Sequence, residues 1–265
     1  RDGPKGAGLG LPFATEMVRR TGRPVGLSAS AHGGTSMAQW DPGLRDAGGD
    51  SLYGSMYKQV LAAGGPVRGV LWYQGESDAN PEASRVFKDK FKALVAAMRS
   101  DFGVPELPFY YVQIGGFVVP GVDSAPWDLI QTEQLAAESE IEHCGMVAAI
   151  DLALDDLIHV GTPGLKTLGY RLANLAERDL FGADLSSGPR FESVEKEETP
   201  FGVRLRVHTE GANAGLLSVE RVSGFSISAG PDGEDVPCIY KQAVDVEAPG
   251  DVLLWVHKPP EDAHL

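Results

Sequence analysis

The feature that most constrains this chain is an alternation running from Pro24 to Phe181, in which short apolar runs are separated by longer amphipathic stretches. Apolar runs bounded by Gly, Pro or polar clusters read as strands buried on both faces, and helices between them supply the covering layers. Four runs have this character: Pro24–Ala29 (PVGLSA), Val67–Tyr73 (VRGVLWY), Pro108–Ile114 (PFYYVQI) and Gly145–Ile150 (GMVAAI). The expected fold is therefore α/β, a parallel sheet with helices on both sides.

Between the runs, Phe87, Phe91, Leu94, Val95 and Met98 recur at helical spacing within Pro81–Asp101, and Phe102-Gly103 supplies a stop. A second helix is expected over Trp127–Glu140. The clearest is Pro163–Phe181, with Thr162 as N-cap, Pro163 in the first turn, Leu165, Leu168, Leu172 and Leu175 as its stripe, and Gly182 to close it. Leu11–Thr21 reads as a further helix with no apolar strand before it. A doubly wound sheet places a strand there, so the expectation is that the first strand precedes residue 1.

Beyond Phe181 the pattern changes. Val203–His208, Leu216–Val222 and Val252–His257 have short strand character, Asp232-Gly233 marks a turn, and no long helical stripe appears. Residues 191–265 hold 14 acidic and 6 basic residues, a sharper imbalance than in the preceding part. Two domains are expected: an α/β domain over 1–185 that lacks its first strand, and a small β-rich module over 190–265.

Composition excludes several function classes. No apolar run approaches the roughly 18–20 residues of a membrane-spanning helix. The net charge of −14, with no Lys/Arg cluster, removes the attraction to phosphate that a nucleic-acid partner requires. Cys144 and Cys238 stand without CxxC or Cys/His spacing, which argues against a disulfide framework or a structural zinc site and leaves a single disulfide open.

Ligands of open α/β sheets bind beyond the C-terminal ends of the strands. Three strand ends carry candidate chemistry. His32-Gly33-Gly34-Thr35-Ser36 offers backbone N–H groups that can approach a ligand closely, part of an oxyanion hole, or else a plain flexible turn. Gln74-Gly75-Glu76-Ser77-Asp78 offers an amide and a carboxylate on a rigid edge, or else a polar helix entry capped by Ser77 or Asp78. Asp155-Asp156-Leu157-Ile158-His159 places an Asp three residues before a His, so that the carboxylate can orient one ring nitrogen and free the other as a general base. The nucleophile is missing: Ser28, Ser30, Ser36 and Ser77 lie near these corners, but none sits in a GxSxG elbow.

These residues resemble the sialate O-acetylesterase-like carbohydrate esterases, a branch of the SGNH/GDSL hydrolases. The resemblance is carried by Gly8–Ala14 (GLGLPFA), Gly26–Trp40 (GLSASAHGGTSMAQW), Gly69–Asp78 (GVLWYQGESD), Leu107–Phe117 (LPFYYVQIGGF) and Asp156–Ala173 (DLIHVGTPGLKTLGYRLA), with WYQGES the most specific. It implies a flavodoxin-like three-layer α/β/α sandwich and a serine esterase that removes acetyl groups from carbohydrate without metal or other cofactor. His159 would be the base, Asp156 its orienting partner, Gly33 or Gly34 and Gln74 the oxyanion donors, and Glu76 a supporting or substrate-facing carboxylate. The family's nucleophilic Ser lies in a GQSNM-like block on the first strand, so the missing strand and the missing nucleophile become one gap, upstream of Arg1. The trailing β module looks like the accessory domain of several such esterases, and a periplasmic or secreted setting follows from the same association. The alternatives are a carbohydrate-binding protein without turnover, with Trp40, Trp72 and Trp127 as stacking surfaces, and a hydrolase using Ser36 or Ser77.

Overall fold

A strand exists only through its neighbours, and in the computed structural model of the chain three of the four apolar runs find one another. The structure describes residues 8–218, 222–230 and 233–264, and the chain divides into two compact units, Arg1–Ser187 and Gly188–Leu265. In the first, β1 (Val70–Tyr73), β2 (Phe109–Gln113) and β3 (Cys144–Ala148) form a parallel sheet in the order β1-β2-β3. The helices are α1 (Gly10–Thr21), α2 (Leu52–Ala63), α3 (Phe87–Asp101), α4 (Ala125–Glu140) and α5 (Thr162–Phe181).

Alternation along the strands sorts side chains into two cores. Trp72, Phe109, Tyr111 and Met146 join a cluster that includes Tyr53 and Met56 from α2, Phe91 and Leu94 from α3, and Ile130 from α4. Tyr110, Val112 and Val147 join Met17 from α1 and Leu168, Leu172 and Leu175 from α5 on the other side. This is the expected α/β layering. The contact between α1 and α5 depends on Gly169, where a β-carbon would stand 2.6 Å from Pro12 Cβ and 2.8 Å from Phe13 N.

Several elements differ from expectation. Pro24–Ala29 forms no strand, because among the described residues no strand lies beside it to complete a ladder. The helix expected from Pro81 begins at Phe87, because Asn80 starts a separate turn, its carbonyl accepting from Ser84 N–H at 3.1 Å and its side chain from Ala83 N–H at 3.0 Å. The N-cap of α5 is Gly161, with no side-chain cap. The chain enters that helix hard against Asp155, whose Oδ1 would lie 2.4 Å from a β-carbon at residue 161. Helix α2, not anticipated, is capped by Ser51 Oγ accepting from Gly54 N–H at 3.0 Å.

The second unit is antiparallel. Strands β4 (Arg190–Thr199), β5 (Gly202–Glu210), β7 (Ile239–Val244) and β8 (Val252–Val256) pair in the order β4-β5-β8-β7, while β6 (Ser228–Ala229) and β9 (Ala263–His264) form a two-stranded ribbon. Val203, Val207, Val252, Leu254 and Val256 supply its core. The described part of Leu216–Val222 is irregular, since Leu216 N–H is satisfied by Pro249 O rather than by a ladder; Asp232 of the expected turn lies outside the described residues. Cys144 and Cys238 are free thiols, and burial pushes the Cys144 thiol up to about 12. No helix among the described residues is long and apolar enough to cross a membrane.

Candidate active site

The segment that follows β3 folds back on itself. Asp155 N–H donates to His159 O at 2.8 Å and Gly161 N–H to Ala153 O at 3.0 Å, so Asp156 and His159 sit at the tip of a small closed loop. From α5, Arg171 pins its base by donating to Ala148 O and to the Asp151 carboxylate, each at 2.7 Å. At the tip, Asp156 Oδ1 accepts from the backbone N–H groups of Ile158 and His159, both at 2.8 Å. Its Oδ2 lies 2.7 Å from His159 Nδ1. With the carboxylate accepting, Nδ1 carries the proton and Nε2 is left as the acceptor. The side chains are 55% and 63% exposed for Asp156 and His159, so the imidazole is open to solvent. The two N–H groups and the imidazole hold the Asp156 carboxyl down at about 2.

Glu76 follows β1. Burial raises its carboxyl above the ordinary carboxylate value, while its own N–H and the nearby His159 oppose the shift. The structure thus brings Glu76 within electrostatic reach of His159. Gly75 lets the chain turn there, since a β-carbon would meet Ile114 Cγ2 at 2.8 Å.

Gly33 and Gly34 lie in an irregular loop whose front is open: a β-carbon at either would meet nothing within 4 Å, and Gly34 has φ +70°. Among the described residues their N–H groups donate to no protein acceptor, and no hydrogen bond joins them to His159. Gln74 departs from the expected role of oxyanion donor. Its Nε2 donates to Thr35 O at 3.0 Å and to Asp78 Oδ2 at 2.6 Å, which uses both N–H bonds inside the protein. Its Oε1 is buried without a partner among the described residues. Asp78, one of the two residues that could cap a helix entry, is instead 1% exposed and accepts from Met37 N–H at 2.8 Å. Nothing local signals that role, because Met37 is 41 residues away.

The serines do not complete a triad. Ser36 N–H donates to Gln39 Oε1 at 3.0 Å, Ser77 is exposed, and neither hydrogen-bonds His159. Trp40, Trp72 and Trp127 are buried in the core and offer no stacking face. No group of three or more His, Cys, Asp or Glu among the described residues is placed to hold a metal ion.

The first unit is thus an α/β domain, a helix-covered parallel sheet with an Asp/His pair in the loop after β3 and Gln74 and Glu76 just after β1. Residues 2–178 match the family described as carbohydrate esterase, sialic acid-specific acetylesterase, and the chain belongs to that family. A probable carbohydrate esterase of Arabidopsis thaliana is 29% identical over 178 residues, 63% of this chain and 62% of that protein. The crystal structure of a carbohydrate acetylesterase from Xanthomonas citri superposes with a TM-score of 0.72 at 25% identity, over 95% of this chain and 58% of that one. An Arabidopsis thaliana structure gives 0.57 at 28% identity, over 68% and 71%. The chain thus spans about three-fifths of the length of the first two relatives.

Proposed function

We propose that the protein is a serine-type esterase that removes O-acetyl groups from carbohydrate. The observation that carries this reading is the 2.7 Å contact between Asp156 Oδ2 and His159 Nδ1 at an exposed loop tip, within a family of carbohydrate esterases. The nucleophilic Ser is assigned to a strand preceding residue 1. Two features support that placement: among the described residues β1 has β2 as its one strand neighbour, and among the same residues no donor reaches the buried Gln74 Oε1.

In this mechanism His159 Nε2 takes the Ser Oγ proton as Oγ attacks the acetyl carbonyl. The Gly33 and Gly34 N–H groups stabilise the oxyanion. Collapse breaks the bond to the sugar oxygen, which receives the proton from Nε2, and leaves an acetyl-serine. Water then attacks that ester, gives its proton to Nε2, and acetate departs as the proton returns to Ser Oγ. Asp156 keeps the ring in the required tautomer, and Glu76 receives a substrate hydroxyl.

The test is hydrolysis of an aryl acetate and of acetylated sugars by the full-length protein, with a serine-directed phosphonate and peptide mapping. The expected result is an adduct on a serine preceding residue 1 and a loss of roughly 10²–10⁴-fold in rate in His159→Ala, the contribution of a general base. An adduct on Ser36 or Ser77 would reassign the nucleophile. No adduct and no turnover would overturn the esterase reading in favour of a carbohydrate-binding protein.

A further inference from the structure

Asp78 is a buried carboxylate that the mechanism above does not use. It is 1% exposed, and among the described residues no Lys, Arg or His forms an ion pair with it. A carboxylate without a cation is costly to bury unless it is well hydrogen-bonded. Its two donors both belong to the candidate site: Met37 N–H at 2.8 Å and Gln74 Nε2 at 2.6 Å, converging on the same oxygen, Oδ2. The second N–H of Gln74 goes to Thr35 O at 3.0 Å. Thr35 in turn donates from Oγ1 to His32 O at 2.7 Å and accepts from Trp40 Nε1 at 3.0 Å.

The backbone is therefore held on both sides of Gly33-Gly34, at His32 O before the pair and at Thr35 O and Met37 N after it. A β-carbon at either glycine would meet nothing within 4 Å, and among the described residues their N–H groups donate to no protein acceptor. Two adjacent glycines are the most easily disordered backbone in a protein. An oxyanion hole accelerates a reaction only when its donors are already in place as charge develops, since donors that must reorganise lose much of their value. The required rigidity has to come from behind the loop, and the Asp78–Gln74 pair provides it.

We propose that Asp78, through Met37 N–H and the Gln74 amide, is the positioning residue that pre-organises the Gly33-Gly34 backbone as an oxyanion hole. The inference rests on the esterase reading for its catalytic consequence and on geometry alone for its structural one. It recasts Gln74 as a strut between two loops.

The experiment compares Asp78→Ala, Asp78→Asn and Gln74→Met in the full-length protein. Asp78→Asn keeps a carbonyl oxygen able to accept both N–H groups, whereas Asp78→Ala leaves them buried without an acceptor. The expected result is a fall in kcat of about 100-fold for Asp78→Ala, similar to loss of one oxyanion donor, with KM within about threefold. Asp78→Asn restores kcat to within about fivefold of wild type, and Gln74→Met loses about tenfold. Phosphonate inactivation slows in parallel with kcat/KM. Met98→Ala, a buried residue near the C-terminal end of α3, controls for lost stability and is expected to leave kcat unchanged.

A second readout needs no turnover: the ¹⁵N relaxation of the Gly33 and Gly34 amides should show new motion in Asp78→Ala and Gln74→Met but not in Asp78→Asn. A folded Asp78→Ala with wild-type kcat, or with unchanged glycine amides, overturns the proposal. If Asp78→Ala does not fold, Gln74→Met decides by the same two readouts. A wild-type protein without turnover refutes the esterase reading, and the glycine amides then judge the brace on their own.

Discussion

In the first unit the central strand β2 is buried from Phe109 to Val112, its side chains passing alternately into two helix-covered cores. In the second unit the edge strand β4 exposes most of its length, and apolar packing is confined to a single cluster on β5, β8 and the segments beside them. The difference teaches where chemistry can be placed. Positioning a base to within a fraction of an ångström needs supports that do not move, and residues just beyond strands locked on both faces have them. Asp156 and His159 hang on such a support, pinned through Arg171 to α5, which is itself packed on the sheet. In the second unit the apolar cluster packs one face of the sheet, among the described residues only Leu253 of β8 is buried on the other, and charged pairs occupy much of that remaining surface. Arg204 with Glu197 and Lys196 with Glu198 are examples.

The comparison is broken most forcefully by removing core volume from each unit. Leu172 in α5 and Leu254 in β8 are both fully buried. Truncation of either to Ala is expected to cost about 2–5 kcal/mol, the transfer term plus the cavity left behind. Amide exchange should rise across α5 and β3 for Leu172→Ala, and across β5, β7 and β8 for Leu254→Ala. The single cluster of the second unit has less to spare, so the same loss should open its strands more completely. Protection that persists in β5 after Leu254→Ala would show that the one-sided sheet is held by something other than its core.

A smaller effect sharpens the picture of the loop that carries Asp156 and His159. The Asp156 carboxyl is lowered from 3.8 to about 2 by the N–H groups of Ile158 and His159 and by the imidazole. A folded value below the unfolded one means a stabilising contribution that is complete above about pH 4 and is lost as pH falls through about 2. Carboxyl ¹³C titration should therefore place the Asp156 midpoint near 2. A midpoint near 3.8 would show that the loop tip is not closed in solution. Asp245 in the second unit is lowered as well, by Glu247 N–H and then by Arg206, so the two carboxyls can be followed in one experiment.

These contrasts also explain what could be read from the sequence. Strands β1, β2 and β3 and helices α3, α4 and α5 carry their own signal, since burial on a fixed face imposes the period of the apolar residues. β4 (RFESVEKEET) was invisible for the converse reason: exposed on both faces, it has no period to impose. Pro24–Ala29 has strand composition but no strand partner, and composition cannot supply one. In the site, Asp156 and His159 were legible because three residues of one loop suffice to make their contact. For Asp78 the sequence suggests no more than one of two caps of a polar helix entry, because its partner, Met37 N–H, is brought to it only by the folded sheet and loops. Gln74 shows the same limit, since an amide at a strand end looks free until the carbonyl and carboxylate that consume its N–H groups are in place.

The smallest expected effect bears on the charged face of the second unit. Arg204 on β5 lies opposite Glu197 on β4 in register, and the guanidinium donates to the carboxylate through both Nε and Nη2. The pair is nevertheless solvent-accessible, with the Glu197 side chain 58% exposed, and an exposed ion pair is worth about 0–1 kcal/mol because water and salt screen it and two long side chains must be immobilised. Glu197→Ala should thus shift the urea midpoint of the second unit only slightly, and the shift should shrink further at 1 M salt, where the screening length is about 3 Å. A loss well above 1 kcal/mol that survives high salt would mean that the cross-strand charges act as a second structural layer. The sheet of the second unit would then be held from both sides after all, and one-sided burial would no longer explain why the candidate chemistry lies in the first.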